Sequence, residues 1–564
     1  MNPQVAKSWL LAVFVCSESA SFDNCLVGIL FLLIKMSTFA AENRKKTIKM
    51  KKTNSMNSVL LTLLLSVTTM GVMAQTSADS IYVTPDEMPD ATYFLPAPPD
   101  TASFAFIDDM AQWQWGKTVR PTERGAQASR ESLMMPDIMR MVMAQALQLD
   151  TISDETTPAL SRLLIKAFNT GGVSVFPAKE HYMRKRPVVQ LNEPVWAQYD
   201  TERIRETGSF PSGHTALGWA TALIFAEMWP ELQDTILCRG YEFGENRVIC
   251  GAHWQSDVTA GYLCAAAAVA RAHSNPSFDD DIRAARAEYA QLKGRPAPDG
   301  FDIGEDIDVP HGERFLANPV DTASARYMAD LMLYWSNKPI RYTLRGDTAR
   351  DETEYSVAMM QKVMGEATGM TLSDEATPAI TALLAYVLNK ASDTADRLKP
   401  IRFRKRPFVQ LNEPSFVAGD EEKERGKSSF PSGHTNLGWS TALVMAELMP
   451  DHQNEILRRG YEYGRNRLIV GYHWFTDIEA TRQLSSGLVA RLHADPTFRQ
   501  LMAAARAEYE SIATGVEEQG ARDMEQVARG MEPEATVRAY RLDGTPATAG
   551  TRGLVIENAR KRIQ

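Results

Sequence analysis

Three groups of polar residues recur in this chain at constant spacing, and their side chains could together bind and transfer a phosphoryl group. The first copy has three cations, a Ser-Gly pair, two histidines and an aspartate: Lys179, Arg186, Arg247, Ser212, Gly213, His214, His253 and Asp257. The second copy lies 220 residues later: Lys399, Arg406, Arg467, Ser432, Gly433, His434, His473 and Asp477. Arginine donates paired hydrogen bonds to tetrahedral oxyanions and lysine adds a point charge, so each copy predicts a phosphate pocket.

The Ser-Gly pair predicts a further anion-binding element in that pocket. Apolar residues after Gly213 follow helical spacing, so Ser212 and Gly213 stand at the start of a helix. Free backbone N–H groups and the positive end of the helix dipole favour a bound oxyanion there. Gly213 has no side chain, which lets the anion approach the backbone closely.

The two histidines predict a division of labour in phosphoryl transfer. One imidazole must be neutral to attack phosphorus, and the other must be protonated to give its proton to the leaving alkoxide. His253 is the predicted nucleophile, because Asp257 one helical turn later can accept its Nδ1–H and leave Nε2 free. His214 is then the predicted general acid. This scheme requires no metal ion and no other cofactor.

Similarity between the two copies extends beyond these residues and indicates a duplicated domain. Residues 286–289, for example, recur as residues 506–509. A repeating unit of this length is a domain rather than a solenoid repeat. We place the first domain at 90–295 and the second at 311–516, with a linker at 296–310 that is rich in Gly, Pro and Asp.

Inside each copy the spacing of apolar residues is helical. The pattern predicts these helices in the first copy: 131–149, 156–168, 213–228, 231–248 and 255–272. Strand-like alternation is nearly absent, so the predicted fold class is all-α, with two tandem helical-bundle domains. The tail at 517–564 has no counterpart in the first copy. Its last part has the pattern of a turn and a small strand, with a disordered charged end as the alternative.

The N-terminal region predicts export. Residues 50–74 have the three parts of a secretory signal peptide, with Lys51 and Lys52 before an apolar centre and small residues before a cleavage point near Ala74. The predicted localisation is therefore periplasmic or secreted. Residues 1–49 are interpreted as an upstream extension from a start codon assigned too early. After the signal no segment has the length and apolarity of a membrane span, so no stable membrane insertion is expected.

Charge and cysteine content narrow the functional classes. The whole chain carries a net charge of −9 and its first 74 residues carry +5, which leaves −14 for the rest. A nucleic-acid polymer requires a basic surface, so it is not an expected partner. The cysteines that follow the predicted signal peptide are Cys238, Cys250 and Cys264. They have no counterparts in the second copy, so the fold cannot depend on a disulfide there.

The motifs Lys-x6-Arg-Pro, Pro-Ser-Gly-His and Arg-x5-His-x3-Asp occur in both copies in this order. Together they resemble the signature of the type 2 phosphatidic acid phosphatase superfamily, which includes bacterial class A non-specific acid phosphatases and vanadium haloperoxidases. Further segments resemble the class A acid phosphatases in particular, at 93–96, 239–242 and 248–257. The resemblance covers nearly everything from residue 90 to residue 516.

This resemblance implies the same roles as the chemistry did. His253 and His473 would become phosphorylated, His214 and His434 would protonate the leaving group, and the aspartates would orient the nucleophiles. The cations and the Ser-Gly pairs would bind phosphate. One departure occurs in both copies, because the family usually has Ser before the third-motif Arg, where this chain has Asn246 and Asn466.

Other polar residues near the motifs are given structural roles. His273 and His493 also recur with an offset of 220, but they end an apolar helix, where a cation suits the helix dipole. Recurrence alone therefore does not indicate catalysis. Arg184 and Lys185 lie between the motif cations and are predicted to be solvated charges.

The predicted function is that of an acid phosphatase with two active sites, which hydrolyses small phosphate monoesters of broad range through a phosphohistidine. The alternatives are a vanadium-dependent haloperoxidase, a lipid phosphatase, and a chain in which one domain is non-catalytic. Vanadate is expected as an inhibitor, or as the cofactor in the haloperoxidase alternative. The two domains could form a pseudo-dimer. Flanking residues differ between the copies, as Ala252 and Tyr472 do, which predicts different ester preferences.

Overall fold

The computed structural model describes residues 80–197, 204–294, 308–417, 419 and 421–530, together with three short strands near the C-terminus. The described residues belong to one compact unit that begins at Thr76. The predicted signal peptide, the residues before it and most of the predicted linker lie outside the described residues.

The structure confirms the all-α fold class. The first repeat contains α1 (Ala91–Phe94), α2 (Ala105–Val119), α3 (Glu123–Arg130), α4 (Pro136–Ala146), α5 (Pro158–Val173), α6 (Phe176–Tyr182), α7 (Pro187–Gln190), α8 (Gly213–Met228), α9 (Gln233–Ile249), α10 (Gln255–Ala272) and α11 (Pro276–Leu292). The second repeat contains α12 (Gly312–Phe315), α13 (Ala325–Asn337), α14 (Leu344–Asp351), α15 (Val357–Thr368), α16 (Pro378–Ile401), α17 (Pro407–Gln410), α18 (Glu421–Glu424), α19 (Gly433–Leu448), α20 (Gln453–Val470), α21 (Phe475–His493) and α22 (Pro496–Gly530).

The C-terminal region has both helix and strand. Helix α22 continues past residue 516 to Gly530, and β1 (Tyr540–Arg541), β2 (Leu554–Glu557) and β3 (Arg560–Ile563) follow it. The strands pair antiparallel in the order β1-β2-β3. Among the helices that the structure describes, none has both the length and the apolarity needed to cross a membrane. Cys238, Cys250 and Cys264 are free thiols.

Two central helices organise the fold. Helix α8 is buried along its whole length, because α5, α9 and α10 of its own repeat and α21 of the other repeat pack around it. Helix α19 holds the same position in the second repeat, against α16, α20 and α21. Buried apolar residues of both repeats form one continuous hydrophobic cluster. The repeats therefore share a core, and the residues that begin α8 and α19 are held rigidly.

The segment that opens each repeat packs on the other repeat. Helix α1 lies on α20, where Phe94 meets Trp439 with ring centroids 6.5 Å apart and the Asp90 N–H donates to Asn454 Oδ1 at 2.8 Å. Helix α12 lies in turn on α9, and the His311 N–H donates to Asp234 Oδ1 at 2.9 Å. The two repeats exchange equivalent segments.

His273 and His493 lie at the ends of α10 and α21, as predicted, and these ends meet where the two repeats pack together. Their imidazole rings are stacked, with centroids 3.6 Å apart and an angle of 14° between the planes. Nε2 of His493 lies 2.7 Å from Glu447 Oε2, and Nε2 of His273 lies 3.4 Å from Glu227 Oε2. We name these four residues the interface quartet.

The interface quartet predicts a pH-dependent contribution to stability. Although burial works to lower it, the Glu447 carboxylate raises the pKa of His493 to about 9. Because this folded-state pKa lies above the unfolded value of about 6.5, the stabilisation is complete below about pH 6.5 and is lost as the pH rises through about 9. Breaking a buried pair costs about 3–5 kcal/mol. His493→Ala should therefore lower the midpoint of thermal unfolding at pH 6, and less so at pH 9.5.

Two further variants control this measurement. The exposed His181, replaced by alanine, should leave the unfolding midpoint unchanged at both pH values. Replacing His493 and Glu447 together by leucine should cost less than His493→Ala, because no buried charge is left without its partner. An unfolding midpoint of His493→Ala equal to that of the unchanged protein at pH 6 would contradict the role of the quartet.

Candidate active sites

Lys179 lies on α6 beside the start of α8. Its Nζ donates to the carbonyl oxygens of Gly208 at 3.0 Å and Ser209 at 3.4 Å. A Cβ atom built on Gly213 would lie 3.6 Å from Lys179 Cε, so the lysine side chain passes the first residue of α8. Burial, and then the charge of Arg186, lowers the pKa of Lys179 well below its ordinary value. An anion in this position would favour the charged ammonium again.

Backbone carbonyl groups orient the two arginines of the first site. Arg186 precedes α7, and its Nη1 donates to the Ala252 carbonyl oxygen at 3.1 Å. Arg247 lies in the last turn of α9, and its Nη1 donates to the Ser132 carbonyl oxygen at 3.1 Å. Both side chains are buried. The guanidinium groups are thus positioned by the fold.

Helix α8 begins as the sequence predicts. Ser212 is its N-cap, with the Oγ atom 3.3 Å from the Thr215 N–H that it accepts. The Ser212 N–H donates to the carbonyl oxygen of Asp257 at 2.9 Å, which joins the start of α8 to the start of α10. The first N–H groups of a helix have no acceptor within it, so this end offers backbone donors to an oxyanion.

The His253 ring is held between an arginine and an aspartate. Its Nε2 lies 2.7 Å from Arg186 Nη1, which can only donate, so Nε2 is the unprotonated nitrogen. Nδ1 lies 3.4 Å from both Asp257 Oδ2 and Ser209 Oγ. Burial, and then the charge of Arg186, lowers the pKa of His253 well below its ordinary value. A neutral imidazole of this tautomer is suited to attack phosphorus through Nε2.

His214 is the second residue of α8. Its Nε2–H donates to the carbonyl oxygen of Glu131 at 3.0 Å, and its ring stacks on Phe243 with centroids 4.1 Å apart. Burial, and then the charge of Arg247, lowers the pKa of His214 well below its ordinary value. The ring is therefore fixed next to the helix N-terminus, and its neutral form is favoured when no anion is bound.

Arg184 is not the solvated charge that the sequence analysis predicted. Its side chain is 9% exposed, and its guanidinium bridges Asp257 Oδ1 at 2.6 Å and Asp109 Oδ2 at 2.7 Å. Burial raises the pKa of Asp109 to about 6. The neighbouring Lys185 is exposed, as predicted. Arg184 therefore orients the carboxylate that faces the His253 ring.

Asp257 is held from several directions at the start of α10. Its Oδ2 accepts the Trp254 N–H at 2.9 Å and a short hydrogen bond from the Ser209 hydroxyl. Although burial works to raise it, the charge of Arg184, then the His253 ring and the Ser209 hydroxyl, hold the pKa of Asp257 below its ordinary value. The carboxylate is therefore ionised at acidic pH and remains an acceptor for the His253 ring.

The second repeat brings its predicted residues together in a similar arrangement. Arg406 Nη1 lies 3.1 Å from the Tyr472 carbonyl oxygen and 3.2 Å from His473 Nε2. Arg467 Nη2 donates to the Glu352 carbonyl oxygen at 2.8 Å. In each copy the eight predicted residues thus surround the start of one helix. In the second copy these residues are Lys399, Arg406, Ser432, Gly433, His434, Arg467, His473 and Asp477.

The start of α19 matches the start of α8. Ser432 caps the helix by accepting the Thr435 N–H at 3.3 Å. His434 Nε2 donates to the Thr353 carbonyl oxygen at 2.9 Å. A Cβ atom built on Gly433 would lie 3.7 Å from Lys399 Nζ, so this lysine also reaches the first residue of its helix.

The second nucleophile candidate has a different orienting partner. Nδ1 of His473 lies 2.6 Å from the Ser429 carbonyl oxygen, whereas it lies 4.0 Å from Asp477 Oδ2. Arg404 holds Asp477 at 2.5 Å and Asp330 at 2.6 Å. The prediction that the aspartate accepts the Nδ1–H therefore applies more closely to the first site than to the second.

The two asparagines that depart from the family pattern bind glutamate carboxylates next to the site. Asn246 donates to the Glu131 carboxylate at 2.9 Å, and Asn466 donates to the Glu352 carboxylate at 2.5 Å. The backbone carbonyl of Glu131 is the acceptor for His214, so Asn246 supports the residue that positions the histidine. Sequence reasoning missed Glu131 and Glu352, although they are equivalent residues of the two repeats, 221 positions apart.

Comparison with known proteins agrees with this geometry. The PAP2 superfamily pattern matches residues 159–277 and 377–498. The non-specific acid phosphatase of Providencia stuartii is 39% identical over 219 residues, which is 39% of this chain and 88% of that protein. The acid phosphatase of Zymomonas mobilis is 36% identical over 36% of this chain and 76% of its own length. The non-specific acid phosphatase of Salmonella typhimurium is 33% identical over 38% of this chain and 88% of its own length.

Two helical repeats, each with the three motifs around a helix N-terminus, define the class of protein. The chain belongs to the PAP2 superfamily. Each relative covers about the length of one repeat, and this chain contains two. Within the superfamily it is an acid phosphatase, a phosphoric monoester hydrolase.

Proposed function

We propose that this chain hydrolyses small phosphate monoesters of broad range at two active sites, each through a phosphohistidine intermediate. The observation that supports this most directly is the contact between His253 Nε2 and Arg186, 2.7 Å apart, because it aims the nucleophilic lone pair at a phosphate-binding group. His473 and Arg406 repeat it at 3.2 Å. Each of the domains at 90–295 and 311–516 would supply one site.

The first half-reaction transfers the phosphoryl group to the enzyme. Nε2 of His253 forms a bond to phosphorus while the bond from phosphorus to the ester oxygen breaks. His214 gives its proton to that oxygen, and the alcohol leaves. The side chains of Lys179, Arg186 and Arg247, together with the N–H groups that begin α8, stabilise the negative charge on the other phosphoryl oxygens.

The second half-reaction restores the enzyme. A water molecule gives a proton to His214 and attacks the phosphorus of the phosphohistidine, and the bond between phosphorus and Nε2 breaks. Inorganic phosphate leaves, His253 is neutral again and His214 is protonated for the next cycle. Asp257 and Arg184 keep the His253 ring in one orientation throughout.

The charges of the pocket support an acidic working range. Burial and Arg247 lower the pKa of His214, and the negative oxygens of a bound phosphoryl group would raise it again. Protonation of the general acid is therefore coupled to substrate binding. Because His214 must carry a proton for the first half-reaction, kcat/KM should fall as the pH rises toward neutrality.

We also propose that the chain is exported to the periplasm or secreted, with residues 50–74 as the signal peptide. The bacterial phosphatase relatives and the signal-like pattern of residues 50–74 support this proposal. The pairing of the two repeats would be that of a covalently linked pseudo-dimer, supported by the exchange of α1 and α12.

An activity screen of the purified chain tests the proposed function. We expect hydrolysis of p-nitrophenyl phosphate, nucleotides and sugar phosphates at acidic pH, inhibition by vanadate and inorganic phosphate, and no loss of activity with a chelator. A 32P-labelled monoester, quenched in alkaline detergent, should leave label on the protein that is stable to base and labile to acid. Halide oxidation by the vanadate-loaded chain without any phosphatase activity would contradict the proposal, and so would hydrolysis of phosphatidate alone.

A further inference from the structure

The second phosphate pocket contains a carboxylate among its cations. Glu424, the last residue of α18, has Oε2 at 2.7 Å from Arg406 Nη2 and Oε1 at 2.8 Å from Lys427 Nζ. The Glu424 side chain is 21% exposed and that of Arg406 is 5% exposed. Although burial works to raise it, the hydrogen bond from Lys427 and the charge of Arg406 hold the pKa of Glu424 below its ordinary value. Both oxygens of an ionised carboxylate are thus engaged by cations.

The residues that form this arrangement belong to the second repeat. Glu424 and Lys427 stand where the first repeat has Ile204 and Thr207. In the first repeat, Nη2 of Arg186 donates to the neutral Thr207 hydroxyl at 3.1 Å. The corresponding Nη2 of Arg406 donates to the Glu424 carboxylate. The carboxylate on Arg406 thus comes from a position where the first repeat has the apolar Ile204.

We propose that Glu424 competes with the phosphate of the substrate for Arg406 and so determines how tightly the second site binds phosphate and its monoesters. This inference rests on the proposed function of the second repeat. Carboxylate and phosphate oxygens use the same N–H donors of a guanidinium. Two anions next to each other also repel, and a partly buried setting weakens the screening of that repulsion. Phosphate must displace Glu424 from Arg406 or bind beside it.

Lys427 gives the displaced carboxylate a second partner. Its side chain is 48% exposed, so its ion pair with Glu424 is screened by water and contributes little by itself. The pair nevertheless holds Glu424 next to the pocket, from where it can return to Arg406 when phosphate leaves. The competition therefore acts on product as well as on substrate, and it makes inhibition by inorganic phosphate weak at the second site.

A second carboxylate near this site acts in the same direction with less effect. Asp396 Oδ1 lies 2.8 Å from Lys399 Nζ, and the first repeat has Phe176 at this position. The Asp396 side chain is 69% exposed, so solvent screens most of its charge. Glu424 is therefore the residue that the test substitutes.

The test uses the full chain with His253→Ala, so that turnover comes from the second site. In this background Glu424→Gln keeps the shape of the side chain and removes its charge. We expect KM for p-nitrophenyl phosphate and the inhibition constant of inorganic phosphate to fall about tenfold, with kcat within about twofold. The matched control is Glu422→Gln on the same short helix, where the side chain is 93% exposed, and it should change neither constant.

Two results would overturn the inference: constants that do not change in Glu424→Gln, or constants that rise. Calorimetric titration of the same variants with inorganic phosphate measures the affinity without turnover, and a tenfold tighter dissociation constant would support the competition. If the His253→Ala chain had no activity, the proposal of two working sites would fail. The phosphate titration would still decide the role of Glu424.

Discussion

The double variant His253→Ala/His473→Ala is expected to lose phosphatase activity by at least about a thousandfold, because neither repeat then has an imidazole that can accept the phosphoryl group. Either single variant should keep the activity of the other repeat. The two nucleophile candidates lie in separate pockets, each with its own arginines and its own helix start. Losses in the single variants should therefore add up to the whole activity when rates are measured at saturating substrate.

The exposed His181 provides the matched control for this experiment, and His181→Ala should leave the rate unchanged. Thermal unfolding of each variant checks that the fold is intact. Complete loss of activity in His253→Ala alone would show that the second repeat does not turn over. Activity retained by the double variant would show that attack does not occur through these histidines.

Arg184→Met should destabilise the protein by about 3–5 kcal/mol and also impair the first site. Arg184 is the bridge between Asp109 and Asp257, whose side chains are 1% and 0% exposed. Without the guanidinium, two buried carboxylates are left close to each other, and at least one of them must take up a proton. The acceptor for the His253 ring is then weakened, so kcat of the first site should fall at least about tenfold.

A second substitution separates folding from positioning. Asp109→Leu added to Arg184→Met removes one of the two buried charges, so stability should recover in part while kcat stays low. Activity is measured in a His473→Ala background, which leaves only the first site. Lys185→Met, at the exposed neighbouring position, is the control. Full activity and an unchanged unfolding midpoint in Arg184→Met would contradict the role assigned to the bridge.

The elements that carry the motifs could be predicted from the sequence, because their signals act over only a few residues. Ser212 and Gly213 precede a long apolar run of helical period, and the structure begins α8 at Gly213. Asp257 follows His253 by one turn, and the structure places the carboxylate next to the ring. The predicted helices at 213–228 and 255–272 have the bounds of α8 and α10.

Arg184 could not be placed by the same reasoning. It lies in the segment between α6 and α7, where there is no helical period to separate buried from exposed positions. Two signals were available nonetheless. Arg184 and Arg186 are two residues apart, so in an extended backbone they lie on the same side, with Lys185 on the other. Arg184 also recurs as Arg404, and its partner Asp109 recurs as Asp330.

The interface quartet and the contact of Glu424 with Arg406 depend on tertiary packing. The stacked rings of His273 and His493 come from helices 220 residues apart, and no local pattern shows that their ends meet. Glu424 belongs to a short helix in a charged segment, which from sequence alone has the composition of a solvated surface. Both features became visible only when the position of each side chain in the fold was known.

The exchange of α1 and α12 between the repeats has a consequence for how the protein can be divided. A fragment that ends before residue 308 would lack α20, on which α1 packs in the full chain. Because both repeats belong to one chain, each stays near the other at an effective concentration on the order of millimolar. Every molecule therefore contains one repeat of each kind in a fixed one-to-one ratio, independent of dilution, which a mixture of two separately made subunits would not guarantee.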